Sequence, residues 1–310
     1  MDLHGRSLPE SGLEEYERLL TLLDQRRFDE ALVRGQVMLE QPETVALARA
    51  KCHNLLCWIF VEGLKRPAPE AVLHGEESVR LAERLNEKGL QVQALCNLAS
   101  AYYQVADYDA AERCYQQVMA MLLESPALLS YGRVLALQGM AQIDLVRGEP
   151  GLSLKKLEEA ESLCLDDESR ALLAEIHRRK AMALLRLGRA HHAAEALAKV
   201  DETTLTAGPR GLWWRTHLGI TRSRVEIALG RWAAARGIAV NTVAVARELG
   251  DMPVLAECAC LLATIEAAEG RTKEVHRRAR AALTYAIQSG RRDVVEDVRD
   301  RMKDYLHNEL

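Results

Sequence analysis

The sequence contains few aromatic residues, few prolines and no long apolar run. Of its 310 residues, 5% are aromatic and eight are proline. No apolar stretch reaches the roughly 18 to 20 residues that a membrane span needs. Runs of β-branched residues are scarce, whereas the hydrophobic content of 48% is ample for a buried core. The composition therefore predicts a nearly all-helical protein without a membrane span. We expect a cytoplasmic location, because the N-terminus leads into an acidic amphipathic helix rather than an apolar signal core.

Sequence motifs of the common enzyme classes are also absent. There is no GxxxxGK[ST] phosphate loop, no GxSxG nucleophile elbow and no HExxH zinc helix. The seven cysteines are not spaced as metal-ligand pairs, so we expect reduced, buried thiols. We therefore predict no enzymatic activity, no cofactor and no metal. The enzyme alternative would need a site assembled from His53, Cys57, Glu175 and His217.

A turn recurs along the chain at a nearly constant spacing of 40 to 42 residues. Its central residues are Ala106, Gly148, Gly188, Gly230 and Gly270. A period of about 40 residues, with each turn between two amphipathic stretches, is typical of stacked helical hairpins. The predicted fold class is therefore all-α: a right-handed α-solenoid of about seven antiparallel helical hairpins plus a C-terminal capping helix.

The predicted hairpins form one domain over residues 9–307, after a flexible N-terminal head at residues 1–8. Their approximate bounds are 9–41, 43–87, 89–124, 127–164, 167–200, 209–249 and 251–289, and the capping helix spans 291–307. The outer positions of that last helix are charged. A polar last helix suits the exposed end of an open stack.

The best-formed unit carries small and apolar residues at helical spacing on both sides of its turn. Its stripe consists of Leu95, Leu98, Ala99, Tyr102, Ala111, Tyr115 and Val118. Ala99 and Ala111 are small enough to let the two helices approach closely. Registering the other turns on this unit gives small residues at the first-helix position, namely Ala141, Ala181, Ser223 and Ala263. The second-helix position holds Ala193 and Ala235, with Ser153 and the bulkier Val275 as departures.

This pattern resembles the tetratricopeptide repeat, in a long-period form similar to the sensor arms of bacterial transcription regulators and peptide-pheromone receptors. The resemblance implies that the first helix of each hairpin lines a concave binding groove. Carried onto this sequence, the groove positions are His53, Gln93, Ser100, Tyr103, Gln138, Gln142, Glu175, Arg178, His217, Arg224 and Glu257. Side-chain amides can pair with the backbone of an extended peptide, and Arg178 and Arg224 can take a carboxylate.

The sequence therefore predicts a non-enzymatic scaffold or adaptor that binds a protein or an extended peptide. The alternative is a ligand- or peptide-sensing module that controls a separate transcription or signalling partner, since no helix-turn-helix is expected before Ser11. The adjacent Trp213 and Trp214 are expected to pack against neighbouring hairpins. The competing hypothesis makes one of them an interface anchor for the partner.

Charge is distributed unevenly along the chain. Residues 208–310 carry 17 basic and 13 acidic side chains, whereas residues 1–207 carry 24 and 32. Basic residues gather around the last hairpin: Arg271, Lys273, Arg277, Arg278 and Arg280. A pI of about 6.2 argues against nucleic acid as a partner. The net charge is negative over residues 1–207 and positive over residues 208–310. Such opposite charges would favour head-to-tail contacts between molecules, so a homo-oligomer is an alternative prediction.

Overall fold

The computed structural model describes residues 12–25, 27–63, 69–124, 130–164, 170–201, 205 and 211–306. These residues form fifteen α-helices and a short π-helical segment, Ile59–Gly63, with no β-strand among them. The helices are α1 Leu13–Asp24, α2 Phe28–Glu40, α3 Ala46–Trp58, α4 Pro69–Arg84, α5 Lys88–Gln104, α6 Tyr108–Glu124, α7 Ser130–Val146, α8 Pro150–Ser162, α9 Arg170–Arg186, α10 Ala190–Ala198, α11 Gly211–Ala228, α12 Trp232–Leu249, α13 Met252–Ala268, α14 Thr272–Ser289 and α15 Arg292–Leu306. The predicted flexible head, residues 1–8, lies outside the described residues.

The helices pair in chain order into seven hairpins, from α1/α2 to α13/α14, and α15 packs against the last hairpin. We call the odd-numbered helices α1 to α15 first helices and the even-numbered ones second helices. The predicted fold class, an all-α array of hairpins closed by a final helix, is confirmed. The chain divides into two compact units, residues 1–136 and 137–310, and the division falls within α7.

The recurring turn ends the five first helices α5, α7, α9, α11 and α13 in the same way. Its central residue adopts a left-handed conformation, with φ of 62° at Ala106 and 71° at Gly188. The next amide then donates back across the helix end, as Arg189 N–H does to the carbonyl of Leu184 at 2.8 Å. This Schellman-type closure pairs carbonyls that would otherwise lack a partner at the helix end. The same pair of features recurs at all five turns of the predicted series.

The small residues of the repeat lie where paired helices come closest. Ala99 and Ala111 are fully buried, and so are their counterparts in the following hairpins. In the hairpin of α11 and α12, the Ser223 hydroxyl donates to the Ala235 carbonyl at 3.3 Å, a bond that a larger side chain would prevent. The bulkier Val275 is also buried, in the core that α13 and α14 form with α15. The last hairpin therefore accommodates this departure.

The composition also led to predictions about the cysteines and about membrane-spanning helices. The seven cysteines are all free and buried, as expected of thiols that serve as small packing residues. Across the described part of the chain, none of the helices has the length and apolar character required to cross a lipid bilayer.

Candidate functional site

Two consecutive arginines hold the Glu175 carboxylate on α9. Arg178 donates from Nε and Nη2 to the two carboxylate oxygens, at 2.8 and 2.6 Å, and Arg179 Nε donates to Oε1 at 2.7 Å. Both arginines lie one helical turn after Glu175, a spacing that places side chains on one helix face. Arg179 also donates to the side-chain oxygen of Gln142 on α7. The cluster therefore joins two consecutive first helices.

A second carboxylate, Glu257 on α13, is held between arginines from both neighbouring first helices. Arg224 on α11 approaches its two oxygens at 3.0 and 2.8 Å. Arg301 on α15 donates to the same two oxygens at 2.5 and 3.1 Å. Paired contacts of this kind fix both the distance and the relative rotation of the groups. Glu257 therefore links α11, α13 and α15.

Both carboxylates stay ionised over the ordinary pH range. Burial by itself would raise the pKa of Glu175 and Glu257, whose side chains are each 13% exposed. The paired arginines outweigh burial and lower the pKa of each group to about 2. An opposite charge in close contact favours the charged form of a carboxyl group. The clusters are therefore stable pairs of full charges rather than shared-proton sites.

Contacts between first helices run without interruption from α7 to α15. The gap between the two clusters is bridged by Arg224, whose Nη1 lies 3.4 Å from the Met182 sulfur on α9. His217 on α11 acts electrostatically on Glu175. We define the first-helix surface as Gln138, Gln142, Glu175, Arg178, Arg179, His217, Arg224, Glu257 and Arg301.

The first-helix surface carries net positive charge. Its four guanidinium groups face two carboxylates, and the more exposed Asp297 accepts a further hydrogen bond from Arg301 at 2.9 Å. A guanidinium group has five N–H donors, and the hydrogen bonds described above use only part of this capacity. The surface can therefore offer charged donors to a ligand while its own carboxylates stay paired.

Gln138 is the most deeply buried member of this surface. Its residue is 4% exposed, and its side-chain Nε2 has no hydrogen-bond partner among the described residues. Its backbone carbonyl accepts from Arg179 at 3.4 Å. An unpaired buried donor lowers the free energy of unfolding by about 1–3 kcal/mol. The unpaired amide of Gln138 therefore destabilises the fold.

His53 faces the second helix of its own hairpin. Its Nδ1 lies 2.8 Å from the Nδ1 of His74 on α4, so one ring donates and the other accepts. Burial and then His74 lower the pKa of His53 to about 4, and burial lowers that of His74. Both imidazoles are therefore neutral at pH 7. The predicted groove residue is engaged inside a hairpin.

The other predicted residues of the first unit make mostly local contacts. Gln93 is exposed on α5. The Ser100 hydroxyl donates to the Cys96 carbonyl one turn earlier at 3.1 Å. Tyr103 packs its ring 5.3 Å from that of Tyr108 across the turn. Their role in binding stays a prediction.

The two adjacent tryptophans have different environments. Trp214 is 5% exposed and belongs to the core formed by α9, α10 and α11. Trp213 is partly buried against the same core, and its ring stacks on His217 with the ring centres 4.0 Å apart. Trp213 is therefore the member of the pair that keeps accessible surface, next to the first-helix surface.

Sequence reasoning missed several residues that join neighbouring first helices. Arg179 and Arg301 were not among the expected groove residues. In the first unit, Asn97 donates to Asn54 at 2.8 Å and Gln104 donates to the Val61 carbonyl at 2.8 Å. These last pairs are each 43 residues apart, and Arg301 follows Glu257 by 44. A search for complementary polar residues one repeat apart could have found them.

Three of the four groups invoked for an enzyme, His53, Cys57 and Glu175, are not activated. Burial raises the pKa of the Cys57 thiol to about 12, so the nucleophilic thiolate is scarcely populated at neutral pH. His53 is engaged with His74, and Glu175 with two arginines. These environments favour structural roles for the three residues.

The basic cluster of the last hairpin is partly paired. Arg271 bonds to Glu269, and Arg278 lies 3.5 Å from the buried Glu266. Lys273 and Arg277 are exposed on α14. This arrangement agrees with a solvated helix face in which some charges are neutralised locally.

No protein-family model matches the chain, and no curated protein matches it. Among solved structures, it is similar to a Rap protein complexed with Competence and Sporulation Factor, with a TM-score of 0.61 and 12% identity over 96% of this chain and 88% of that chain. The Cut9-Hcn1 hetero-tetramer of the APC/C gives a TM-score of 0.40 at 14% identity, covering 97% of this chain and 57% of that chain. The TPR domain of P58(IPK) gives 0.25 at 16% identity, covering 97% and 91%.

At 12% identity, the likeness to the Rap protein shows a shared fold. The chain thus has the fold of tetratricopeptide-like helical repeat proteins, as its turns and small residues predicted. Solenoid architectures create extended surfaces, and function depends on the side chains that each surface carries.

Proposed function

We propose that the chain is a non-enzymatic scaffold or adaptor that binds a protein or an extended peptide on the first-helix surface of residues 137–310. The observation that supports this most strongly is the series of contacts between charged and amide side chains, linked through Met182, across α7, α9, α11, α13 and α15. Its net positive charge favours a partner that carries carboxylates. Seven free, buried thiols support the proposed location in the reducing cytoplasm.

The test compares two variants that each remove two positive charges. The surface variant combines Arg178→Ala with Arg179→Ala on α9, and the control combines Lys273→Ala with Arg277→Ala on the second helix α14. Circular dichroism first shows that both variants keep their fold. Each immobilised protein then captures partners from an extract of the source cells, and the captured protein is identified, purified and titrated.

We expect the surface variant to bind the purified partner at least about tenfold more weakly, since paired charges at an interface typically contribute more than 1.4 kcal/mol. The control should bind like the wild-type chain. Equal affinity of all three proteins would place the interface elsewhere and contradict the proposal.

A second candidate is a sensing module that controls a separate partner. It is favoured by the shared fold with the Rap protein, whose structure was solved in complex with a factor. Coupling between two ligands is reciprocal, so a sensed ligand must change the affinity for the partner. Titrating the partner with and without the ligand would separate a sensor from a passive scaffold, because only the sensor gives two different affinities.

A further inference from the structure

A groove of about 310 Å³ lies among α4, α5 and α6. α5 packs against both of the other helices. The walls follow one face of α4, from Glu76 to Glu83, and one face of α6, from Ala110 to Gln117, with lining residues three or four apart on each. The groove lies within the first compact unit, and the structure describes all three helices over these stretches.

The floor of the groove is apolar. Leu95 and Leu98 of α5, together with Ala110 and Cys114 of α6, are 2–7% exposed, and Val79 of α4 is partly buried. Sites for small organic molecules typically begin at about 300 Å³ and combine such apolar walls with a few polar groups. A single aromatic ring with a short side arm fits this volume, since benzene fills a cavity of roughly 150 Å³ in another protein.

Glu76 places a carboxylate without a cationic partner in the α4 wall. The Tyr102 hydroxyl donates to its Oε1 at 2.5 Å. Burial and then this hydrogen bond raise the pKa of Tyr102, so the phenol stays protonated and keeps donating. In the described part of the chain, Glu76 forms no ion pair. Its second carboxylate oxygen can therefore accept a hydrogen bond from a ligand.

The other lining charges leave the groove slightly negative. Arg80 donates from Nε to Glu77 at 2.7 Å, so a carboxylate outside the lining neutralises its charge. Glu83 and Arg113 form no hydrogen bond or ion pair with any residue that the structure describes. Two carboxylates, Glu76 and Glu83, thus accompany one uncommitted guanidinium group. This balance favours a cationic ligand over an anionic one.

We propose that this groove binds a small organic amine that carries one aromatic ring and one ammonium group. The ring would pack on Leu95, Leu98 and Cys114, and the ammonium group would donate to the Glu76 carboxylate. Such a molecule satisfies the apolar floor and the unpaired acid together, whereas a hydrocarbon or an anion satisfies only one of them. The site uses none of the residues of the first-helix surface, so it is separate from the proposed binding of a protein or peptide.

The test titrates the whole chain with phenethylamine by calorimetry and with para-fluorophenethylamine by fluorine NMR. Phenethyl alcohol and hydrocinnamate, which keep the ring but are neutral and anionic, are the matched probes. Glu76→Gln removes the charge and keeps an acceptor for Tyr102. Glu70→Gln, at an exposed carboxylate of the same helix, is the matched control. Val79→Phe fills the groove, and Ala110→Leu fills it from the α6 wall if Val79→Phe fails to fold.

We expect saturable binding of one amine per chain, at least about fivefold tighter than that of the alcohol, and weaker still for the anion. Glu76→Gln should reduce the affinity for the amine to that for the alcohol and leave the alcohol unchanged. Glu70→Gln should bind all three probes like the wild-type chain, and filling the groove should abolish binding of the amine.

The proposal is overturned if the amine does not saturate, or if the amine and the alcohol bind the wild-type chain equally well. It is also overturned if Glu76→Gln leaves the affinity for the amine unchanged, or if both groove-filling variants bind the amine normally. Each of these results concerns α4 to α6 alone and leaves the test of the first-helix surface unaffected.

Discussion

At the scale of single residues, the turns show how one backbone requirement recurs through the molecule. The five turn centres of the series with 40- to 42-residue spacing all adopt positive φ, and four of them are glycine. Ala106 is the exception, at a φ of 62°. A side chain in the left-handed region contacts its own backbone unfavourably, which glycine avoids. Ala106 therefore carries local strain that the four glycine turns of the series do not.

Replacing Ala106 with glycine should stabilise the protein. We expect a gain of about 1 kcal/mol in the free energy of unfolding, because the left-handed conformation costs glycine nothing. Urea denaturation followed by circular dichroism measures it. Ala120→Gly, at an exposed position inside α6, is the control and should lose about 1 kcal/mol. A loss at both positions would refute the strain argument.

The histidine pair of the first unit predicts a pH dependence of stability. The pKa of His53 is about 4 in the folded protein, below the ordinary 6.5. His53 in the unfolded chain takes up its proton at a higher pH than His53 in the folded protein. The free energy of unfolding is therefore highest, as far as this group is concerned, above pH 6.5 and decreases as the pH falls toward 4. We expect a loss of about 2–3 kcal/mol over this interval.

Urea denaturation at pH 7.5, 6 and 4.5 measures this loss. His53→Phe removes the group and should flatten the dependence between pH 6.5 and 4.5, although its stability at pH 7.5 differs. An unchanged slope in this variant would show that other groups cause the pH dependence.

At the scale of helices, ion pairs join elements that lie one repeat apart. Glu257 on α13 contacts arginines from α11 and α15, and the last helix also packs apolar side chains against α13 and α14. The His276 ring further contacts the Tyr305 carbonyl at 2.8 Å. The final helix is therefore held by charged, polar and apolar contacts along its length.

Glu257→Gln should destabilise the protein by about 3 kcal/mol, because it leaves two largely buried guanidinium groups without their carboxylate. Thermal and urea unfolding measure the change. The exposed Asp300→Asn on α15 is the control and should stay within about 0.5 kcal/mol of the wild-type chain. Equal effects of the two changes would contradict the linking role of Glu257.

The same carboxylate should govern stability in acid. Since the pKa of Glu257 is about 2 in the folded protein against an ordinary 4.5, its contribution is present above pH 4.5 and is lost as the pH falls toward 2. The stability difference between the wild-type chain and Glu257→Gln should therefore narrow over that interval. A difference that is independent of pH would contradict this assignment.

At the scale of the whole molecule, the cysteines report on how completely the hairpins are packed. All seven are buried and free, and burial raises the pKa of Cys52, Cys96, Cys258 and Cys260, like that of Cys57, to about 12. Thiol reagents attack the thiolate, so both access and ionisation oppose reaction in the folded state.

Fewer than about one thiol per chain should therefore react with Ellman's reagent at pH 8 in the native protein. All seven should react in guanidinium chloride. The absorbance of the released thiolate measures both numbers. Rapid reaction of a native thiol that maps to Cys57 would instead revive the enzyme alternative.

The sequence predicted much of the fold and less of the candidate site. The turn period, the small residues at Ala99 and Ala111, and the final helix were all readable from local pattern, since each depends on the helical repeat of the chain itself. The role of the expected groove residues stays a prediction. Gln138 and His53 show the difficulty, because their polarity indicated a surface position while the structure buries one and pairs the other with His74.

The sequence by itself determined that this protein is a series of helical hairpins with left-handed turns, because turns, helix faces and close-packing positions are set by residues near one another in the chain. Only the tertiary structure decided which charges meet. Arg179, Arg224, Glu257 and Arg301 find partners 33 to 44 residues away. Such pairings depend on how neighbouring hairpins stack, which local periodicity does not specify.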